Sequence, residues 1–244
     1  MNRLALFGSL DPDTTAIYWE VINREIRQEL GHLATASAIW HHHNGAELEA
    51  LLSEGDWEGL GGLAAAAARS MADSGAQGLV LCGSPLNPLC GPVGRASGLY
   101  PICMVRAMAE TIRRFRIHRV AALGIRLPRE HKTWCDKLSP IKLVPTTAAE
   151  TEWINEFAAT FAPADEFSPS LLIEASRIAS SLRSRGAQAL VLASPRLQRL
   201  FPDTVDGPMV PVFDAVEIHA RAAAVWALKG RRTAPRSSLA TAAR

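Results

Sequence analysis

The side chains best suited to chemistry stand where apolar runs break off. Trp40 is followed by three imidazoles, His41, His42 and His43. On an extended chain successive side chains alternate faces, so His41 and His43 point together and His42 points away. No HExxH pattern or third carboxylate ligand accompanies the pair, so no metal is expected and His41 is read as lining a cleft. Two other runs end in Cys82-Gly83-Ser84-Pro85 and Ala193-Ser194-Pro195-Arg196. A strand-end thiol such as Cys82 serves as a nucleophile or proton carrier if a helix terminus lowers its pKa, and otherwise as a small buried hydrophobe. The Ser194 hydroxyl is far less acidic and needs a base of its own. Arg196 falls in the first turn of an expected helix, beside a positive dipole end, a poor place for a structural cation, so it reaches an anionic ligand or solvent. Gly8 to Thr15 forms a tight turn into a helix whose free N–H groups favour an anion, with the Thr15 hydroxyl available to a carboxylate. Asp11, Asp13 and Asp214 read as helix caps, and His219 as a packed residue inside the last helix.

Positioning these groups requires an α/β scaffold. Short apolar runs punctuated by Gly and Pro alternate with stretches of helical spacing, the pattern of βα units on a parallel sheet. Strands are predicted at Arg3–Phe7, Leu33–Trp40, Gly78–Cys82, Tyr100–Met104, Arg119–Gly124, Ile141–Val144, Ala189–Ala193 and Val210–Phe213. Helices are predicted at Asp13–Leu30, Trp57–Asp73, Val105–Phe115, Ala148–Phe161, Ser170–Arg185 and Ala215–Lys229. Eight strands need one barrel or two sheets.

An internal repeat favours two sheets. Gly75-Ala76-Gln77-Gly78-Leu79-Val80-Leu81 returns as Gly186-Ala187-Gln188-Ala189-Leu190-Val191-Leu192, each time after a helix. Two pseudo-symmetric lobes are implied, each with a small parallel sheet flanked by helices, and a cleft where the carboxyl ends of the strands face each other. The first lobe is expected to comprise residues 1–113 plus 212–230, which bring the C-terminal helix, and the second 114–211. Residues 231–244 have no helical or strand period and are expected to form a flexible basic tail.

Composition removes several functional classes. The 244 residues are 48% hydrophobic and 20% charged with net charge +2, an ordinary globular balance. Arg231, Arg232, Arg236 and Arg244 carry much of the positive excess, leaving the body near neutral and nucleic-acid binding without support. No apolar run of about 18 residues exists, and Gly8, Asp11 and Pro12 interrupt the N-terminus too early for a signal-peptide core, so no membrane association and a cytoplasmic location are expected. Cys82, Cys90, Cys103 and Cys135 include no CxxC pair and read as reduced thiols.

Taken in order along the chain, these segments resemble the aspartate/glutamate racemase family of cofactor-independent, two-lobed α/β enzymes. Gly8, Pro12 and Thr15 match its opening GGMGPxAT loop, and Trp40 to Trp57, closing on Gly55-Asp56-Trp57, matches its GDW segment. Arg119 to Gly124 is similar to RVGLLGT, Val144-Pro145 with Glu152 to Asn155 to the stretch after it, and Val210 to Ala220 to VPLFDTxxxHA. The resemblance implies no cofactor, a small amino or carboxylic acid as ligand, and a homodimer. It also implies one catalytic cysteine eight residues after each repeat glycine, which falls here on Gly83 and Ser194. Racemisation at Cα needs an acid and a base of matched pKa on opposite faces, and glycine has no proton to offer. Arylmalonate decarboxylases, relatives with an empty first position, keep a cysteine in the second lobe that this chain lacks.

The expectation is therefore a racemase-family protein that binds a small acid through Thr15, Arg196, Gly83, Ser84 and His41 without two-thiol racemisation. One alternative is an active, diverged isomerase, lyase or decarboxylase using Cys82, Ser194 or a histidine. Another is a non-catalytic structural or partner protein whose cleft is partly filled by Leu86, Met104 and Ile125.

Overall fold

The computed structural model describes residues 1–160, 168–201 and 210–230. Two four-stranded parallel sheets form, and their layouts correspond strand for strand. In the first sheet β1 (Leu4–Phe7) pairs with β2 (Ala38–His41) on one side and β3 (Gly78–Leu81) on the other, and β4 (Tyr100–Pro101) extends β3. In the second, β5 (Arg119–Leu123) lies between β6 (Lys142–Leu143) and β7 (Ala189–Leu192), and β8 (Val212–Asp214) extends β7.

The repeated Gly-Ala-Gln triplets do the same work in both sheets. Gly75 and Gly186 take φ of +88° and +94°, a region open mainly to glycine, and so end the preceding helices sharply. The Gln77 side chain accepts from the Arg3 backbone N–H at 3.2 Å, and Gln188 from that of Arg119 at 3.0 Å. The Arg3 guanidinium then reaches the Ser74 carbonyl, and the Arg119 guanidinium the Arg185 carbonyl, each at 3.0 Å. Each clamp fixes where a helix ends and where its strand begins.

Nine α-helices form among the described residues. Six match the periodic stretches: α1 (Pro12–Leu30), α3 (Trp57–Asp73), α5 (Met104–Arg114), α7 (Ala148–Thr160), α8 (Pro169–Ser184) and α9 (Ala215–Lys229). Asp11, Asp56 and Asp214 accept from first-turn backbone N–H groups, so these acids are caps. Three helices were not expected: α2 (Gly45–Glu54), α4 (Cys90–Ser97) and α6 (Pro128–Leu138). Two glycines and a proline hide the period of α4. Residue pairing with β1 begins at Ala38, just after the Ser37 carbonyl that accepts the Leu4 N–H, so that strand starts there rather than at Leu33, while β4 and β6 keep two residues each.

Strand parity divides the interior in three. Leu4, Leu6, Val80, Cys82, Val120, Ala189 and Val191 face a central core shared by both sheets and by α1, α5, α6 and α9. Ala5, Phe7, Leu79 and Leu81 face an outer core under α2, α3 and α4, and Ala121, Leu123, Leu190 and Leu192 one under α7 and α8. The lobes thus share one apolar interior.

Two expectations change. Residues 212–214 pair with β7 in the second sheet, and only α9 returns to pack on α1 and α5, so the chain crosses back at Ala215 rather than at residue 212. The reading of four reduced thiols is also corrected: Cys90, at the start of α4, and Cys103, the N-cap of α5, form a disulfide, because the short β4 places their Cα atoms 6.0 Å apart. Cys82 and Cys135 are free. The expected tail, residues 231–244, lies outside the described residues, as does Phe161 at the end of one predicted helix. No helix among the described residues is long and apolar enough to cross a membrane.

Candidate functional site

The segments that follow β1, β3, β5 and β7 converge on one cleft of about 450 Å³. The first lobe contributes Ser9, Leu10, Asp11, Thr14, Gly45, Glu49 and Gly83 to Pro85; the second contributes Gly124, Arg126, Ala158, Ala159 and Ala193 to Arg196. This is the carboxyl-end site that open parallel sheets provide.

Gly83 and Ser194 hold equivalent places, each beginning a 3₁₀ turn, Ser84–Leu89 in one lobe and Pro195–Arg199 in the other. Their backbones differ. Ser194 is extended, with φ −123° and ψ 131°, a conformation any residue adopts. Gly83 has φ +92°, a conformation that strains any residue with a side chain, and a Cβ built on it would lie 2.7 Å from Ser9 Oγ, so the Ser9 side chain would also have to turn aside. Its N–H is held from below by a buried relay. The Gly83 N–H donates to Tyr18 Oη at 3.2 Å, the Tyr18 hydroxyl meets His219 Nδ1 at 2.7 Å, and His219 Nε2 meets the Ile102 carbonyl at 2.6 Å. The carbonyl can only accept, so His219 carries its proton on Nε2 and its bare Nδ1 accepts from Tyr18. Burial pushes the imidazole down to about 4, against the opposing effect of the Ile102 hydrogen bond, and holds it neutral.

Cys82 does not face the cleft. Its parity is that of Val80, so the thiol lies wholly buried in the central core, and burial pushes its pKa well above the usual range. Of the two roles read for Cys82, its place matches the small buried hydrophobe. Thr15 is buried too: its hydroxyl accepts from the Ser9 N–H at 2.8 Å and donates to the Asp11 carbonyl at 3.1 Å, holding the turn that lines the cleft. His41 stacks on Phe7 and on His43, with ring centroids 5.6 and 6.3 Å away, and is not among the cleft-lining residues. The alternation expected of the three histidines holds, since His43 shares His41's face and bonds Glu47 at 2.7 Å while His42 lies across Gly8. Among the described residues no group of three His, Cys, Asp or Glu converges as a metal site. Leu86 and Met104 are fully buried and do not line the cleft.

Arg196 does line it, with Nη1 donating to the Ala158 and Ala159 carbonyls near the end of α7 at 2.9 and 3.4 Å. Three residues that sequence reasoning missed complete the site. Arg126, from the loop after β5, makes a two-pronged ion pair across the cleft with Glu49 of α2, at 3.1 and 3.0 Å. Glu130 of α6 is fully buried and bonded to the Ser84 hydroxyl, with its second oxygen accepting the Arg126 N–H at 3.2 Å. Burial raises its pKa, partly offset by these bonds and the Arg126 charge. Trp134, one turn on, donates Nε1–H to Ser84 Oγ at 3.1 Å. The only sequence signal for this cluster is the four-residue spacing of Glu130, Trp134 and Leu138 along one buried helix face.

Comparison with known proteins agrees with this architecture. The Asp/Glu/Hydantoin racemase family model matches residues 8–223. A solved structure of a putative Asp/Glu racemase from Yersinia pestis is 26% identical and superposes with a TM-score of 0.85 over 93% of this chain and 100% of that one. An aspartate racemase homologue from Pyrococcus horikoshii OT3, 20% identical, gives 0.76 over the same shares. An aspartate racemase from Picrophilus torridus, 13% identical, gives 0.64 over 95% of this chain and 96% of that one. The two corresponding sheets, the cleft at their strand ends and the match over most of the chain together place this protein in the Asp/Glu/Hydantoin racemase family.

Proposed function

We propose that the chain binds a small amino or carboxylic acid in the inter-lobe cleft and does not racemise it with a pair of thiols. The observation that carries this reading is the backbone at Gly83. The position where the resemblance puts the first thiol falls on a residue whose positive φ disfavours any side chain and whose Cβ would have to displace Ser9 Oγ, and the second falls on Ser194. Cationic and hydroxyl groups remain at the cleft: Arg126, Arg196, Ser9 and Ser194 suit a carboxylate, and the backbone turn at Gly83 and Ser84 lies between them. Neither cofactor nor metal is part of this reading.

Thermal shift across L-aspartate, L-glutamate, succinate and phenylacetate tests the binding, since a ligand specific to the folded state raises the Tm. Proton NMR of L-aspartate and L-glutamate incubated with the protein in heavy water tests the chemistry. The reading expects a raised Tm with at least one acid and no deuterium at Cα. Deuterium incorporation supports instead the alternative of a diverged isomerase, lyase or decarboxylase. The half-buried Ser194 hydroxyl in the cleft is the observation that favours that alternative, and loss of exchange in Ser194→Ala would assign the step to it.

A further inference from the structure

Ser84 Oγ sits between two groups buried behind the cleft. It has one proton and two lone pairs. The Trp134 Nε1–H, at 3.1 Å, occupies one lone pair, and Glu130 Oε1 is the other neighbour. Glu130 Oε2 accepts the Arg126 N–H in either charge state, so a proton taken up by this carboxyl resides on Oε1, facing Ser84. Two arrangements follow. With Glu130 ionised, the Ser84 hydroxyl donates to it, and the cleft meets a serine with no proton to give and a negative charge behind it. With Glu130 neutral, its O–H donates into the remaining lone pair of Ser84 Oγ, and the serine's own proton is freed from Glu130 on a buried residue that borders the cleft.

We infer that Glu130 is a positioning residue whose gain of one proton turns the Ser84 hydroxyl outward, so that an anionic acid enters the cleft together with a proton. This rests on the acid-binding reading of the cleft. A glutamine would hold Ser84 equally well, so packing alone does not call for a carboxyl at a fully buried position. The raised pKa of Glu130 is in accord. The charged groups on the surrounding elements leave the titration to Glu130. Arg126, in the preceding loop, faces it and is held by Glu49 of α2. Arg106 of α5 acts instead on Lys137, Lys142 of β6 is exposed, and Arg129 lies over Trp57. The 3₁₀ turn Ser84–Leu89 carries no charge.

Two measurements test this. In ¹⁵N-labelled ligand-free protein, the Trp134 indole N–H signal, assigned by its loss in Trp134→Phe, should move in one titration step whose midpoint lies above the ordinary carboxylate range, and should stay still in Glu130→Gln. Calorimetry with whichever of L-aspartate, L-glutamate, succinate or phenylacetate raises the Tm most, run in Pipes and in Bis-Tris, should show uptake approaching one proton per acid above that midpoint. Affinity should weaken about tenfold per pH unit there. Glu130→Gln should bind with no proton uptake and flat pH dependence, and Ser84→Ala more weakly, also without uptake. Binding by the native protein without proton uptake, uptake that persists in Glu130→Gln, or an indole signal that does not titrate would each overturn the inference alone. Binding of none of the four acids would overturn the acid-binding reading and the inference with it.

Discussion

Placing a cysteine at Gly83 should strain the fold, whereas placing one at Ser194 should not. Gly83→Cys places a Cβ at φ +92° and 2.7 Å from Ser9 Oγ. Holding a non-glycine residue there costs about 1–3 kcal/mol, and displacing Ser9 adds about 1 kcal/mol as an off-rotamer side chain, for a total of about 3 kcal/mol. In a chain of this size each kcal/mol lowers the Tm by about 2–4 °C, so the variant should melt about 6–12 °C below the parent. Adding Ser9→Gly should recover only the smaller part, because the backbone strain remains. Ser194→Cys, at an extended residue, should change the Tm by about 2 °C or less. Scanning calorimetry measures these shifts, and Cα deuteration of L-aspartate in heavy water measures racemase chemistry in Gly83→Cys/Ser194→Cys. A Gly83→Cys variant as stable as its parent, or a double variant that washes deuterium into aspartate, would refute the view that backbone conformation excludes the first thiol.

Three further outcomes follow from buried groups. Tyr18→Phe leaves both the Gly83 N–H and His219 Nδ1 without a partner, and should cost about 2–6 kcal/mol in urea unfolding, since each orphaned buried group costs about 1–3 kcal/mol. His219 is held neutral with a pKa near 4, below its unfolded value of about 6.5, so the unfolded chain binds the extra proton between these limits. Its contribution is therefore complete above about pH 6.5 and declines as the pH falls toward 4, by about 3 kcal/mol in all. Urea midpoints at pH 7 and 4.5 should show this slope in the parent and a flatter one in His219→Asn. Reducing the Cys90–Cys103 bridge, which closes a loop of 13 residues, should lower stability by about 3 kcal/mol on the chain-entropy model. Melts with and without dithiothreitol measure that loss, and Cys90→Ala/Cys103→Ala should melt like the reduced parent in both.

The sheets were legible because period-two parity and the duplicated Gly-Ala-Gln triplet are local signals, and the Arg3–Gln77 and Arg119–Gln188 clamps are their three-dimensional counterpart. The cleft was legible as a place, since parallel strands deliver their following loops to one side. Its chemistry was not. Cys82 drew attention as a thiol at a strand end, yet the same parity that marks the strand turns it toward Val80 and the core. Thr15 looked available to a ligand because a hydroxyl at a helix start is a general donor, whereas here it is spent on its own turn. Arg126, Glu130 and Trp134 stand after a strand in a stretch rich in charge, where only the four-residue spacing of Glu130, Trp134 and Leu138 hints at burial. Glu130 meets Ser84 only because α6 packs against the 3₁₀ turn that begins 46 residues earlier. The disulfide was missed for a similar reason: Cys90 and Cys103 are brought together by two residues of β4, too few to leave a pattern.

The return of the chain at Ala215 limits how far the duplicated halves remain modules. A cut before residue 212 would strip the second sheet of its edge strand and, at the same stroke, uncover α1 and α5 by removing α9. A cut near residue 115 would split a core that draws Leu6 and Val80 from one sheet and Val120 and Val191 from the other. Neither half, expressed alone, keeps its apolar surfaces covered. The two sheets therefore depend on one another to keep their common interior out of water.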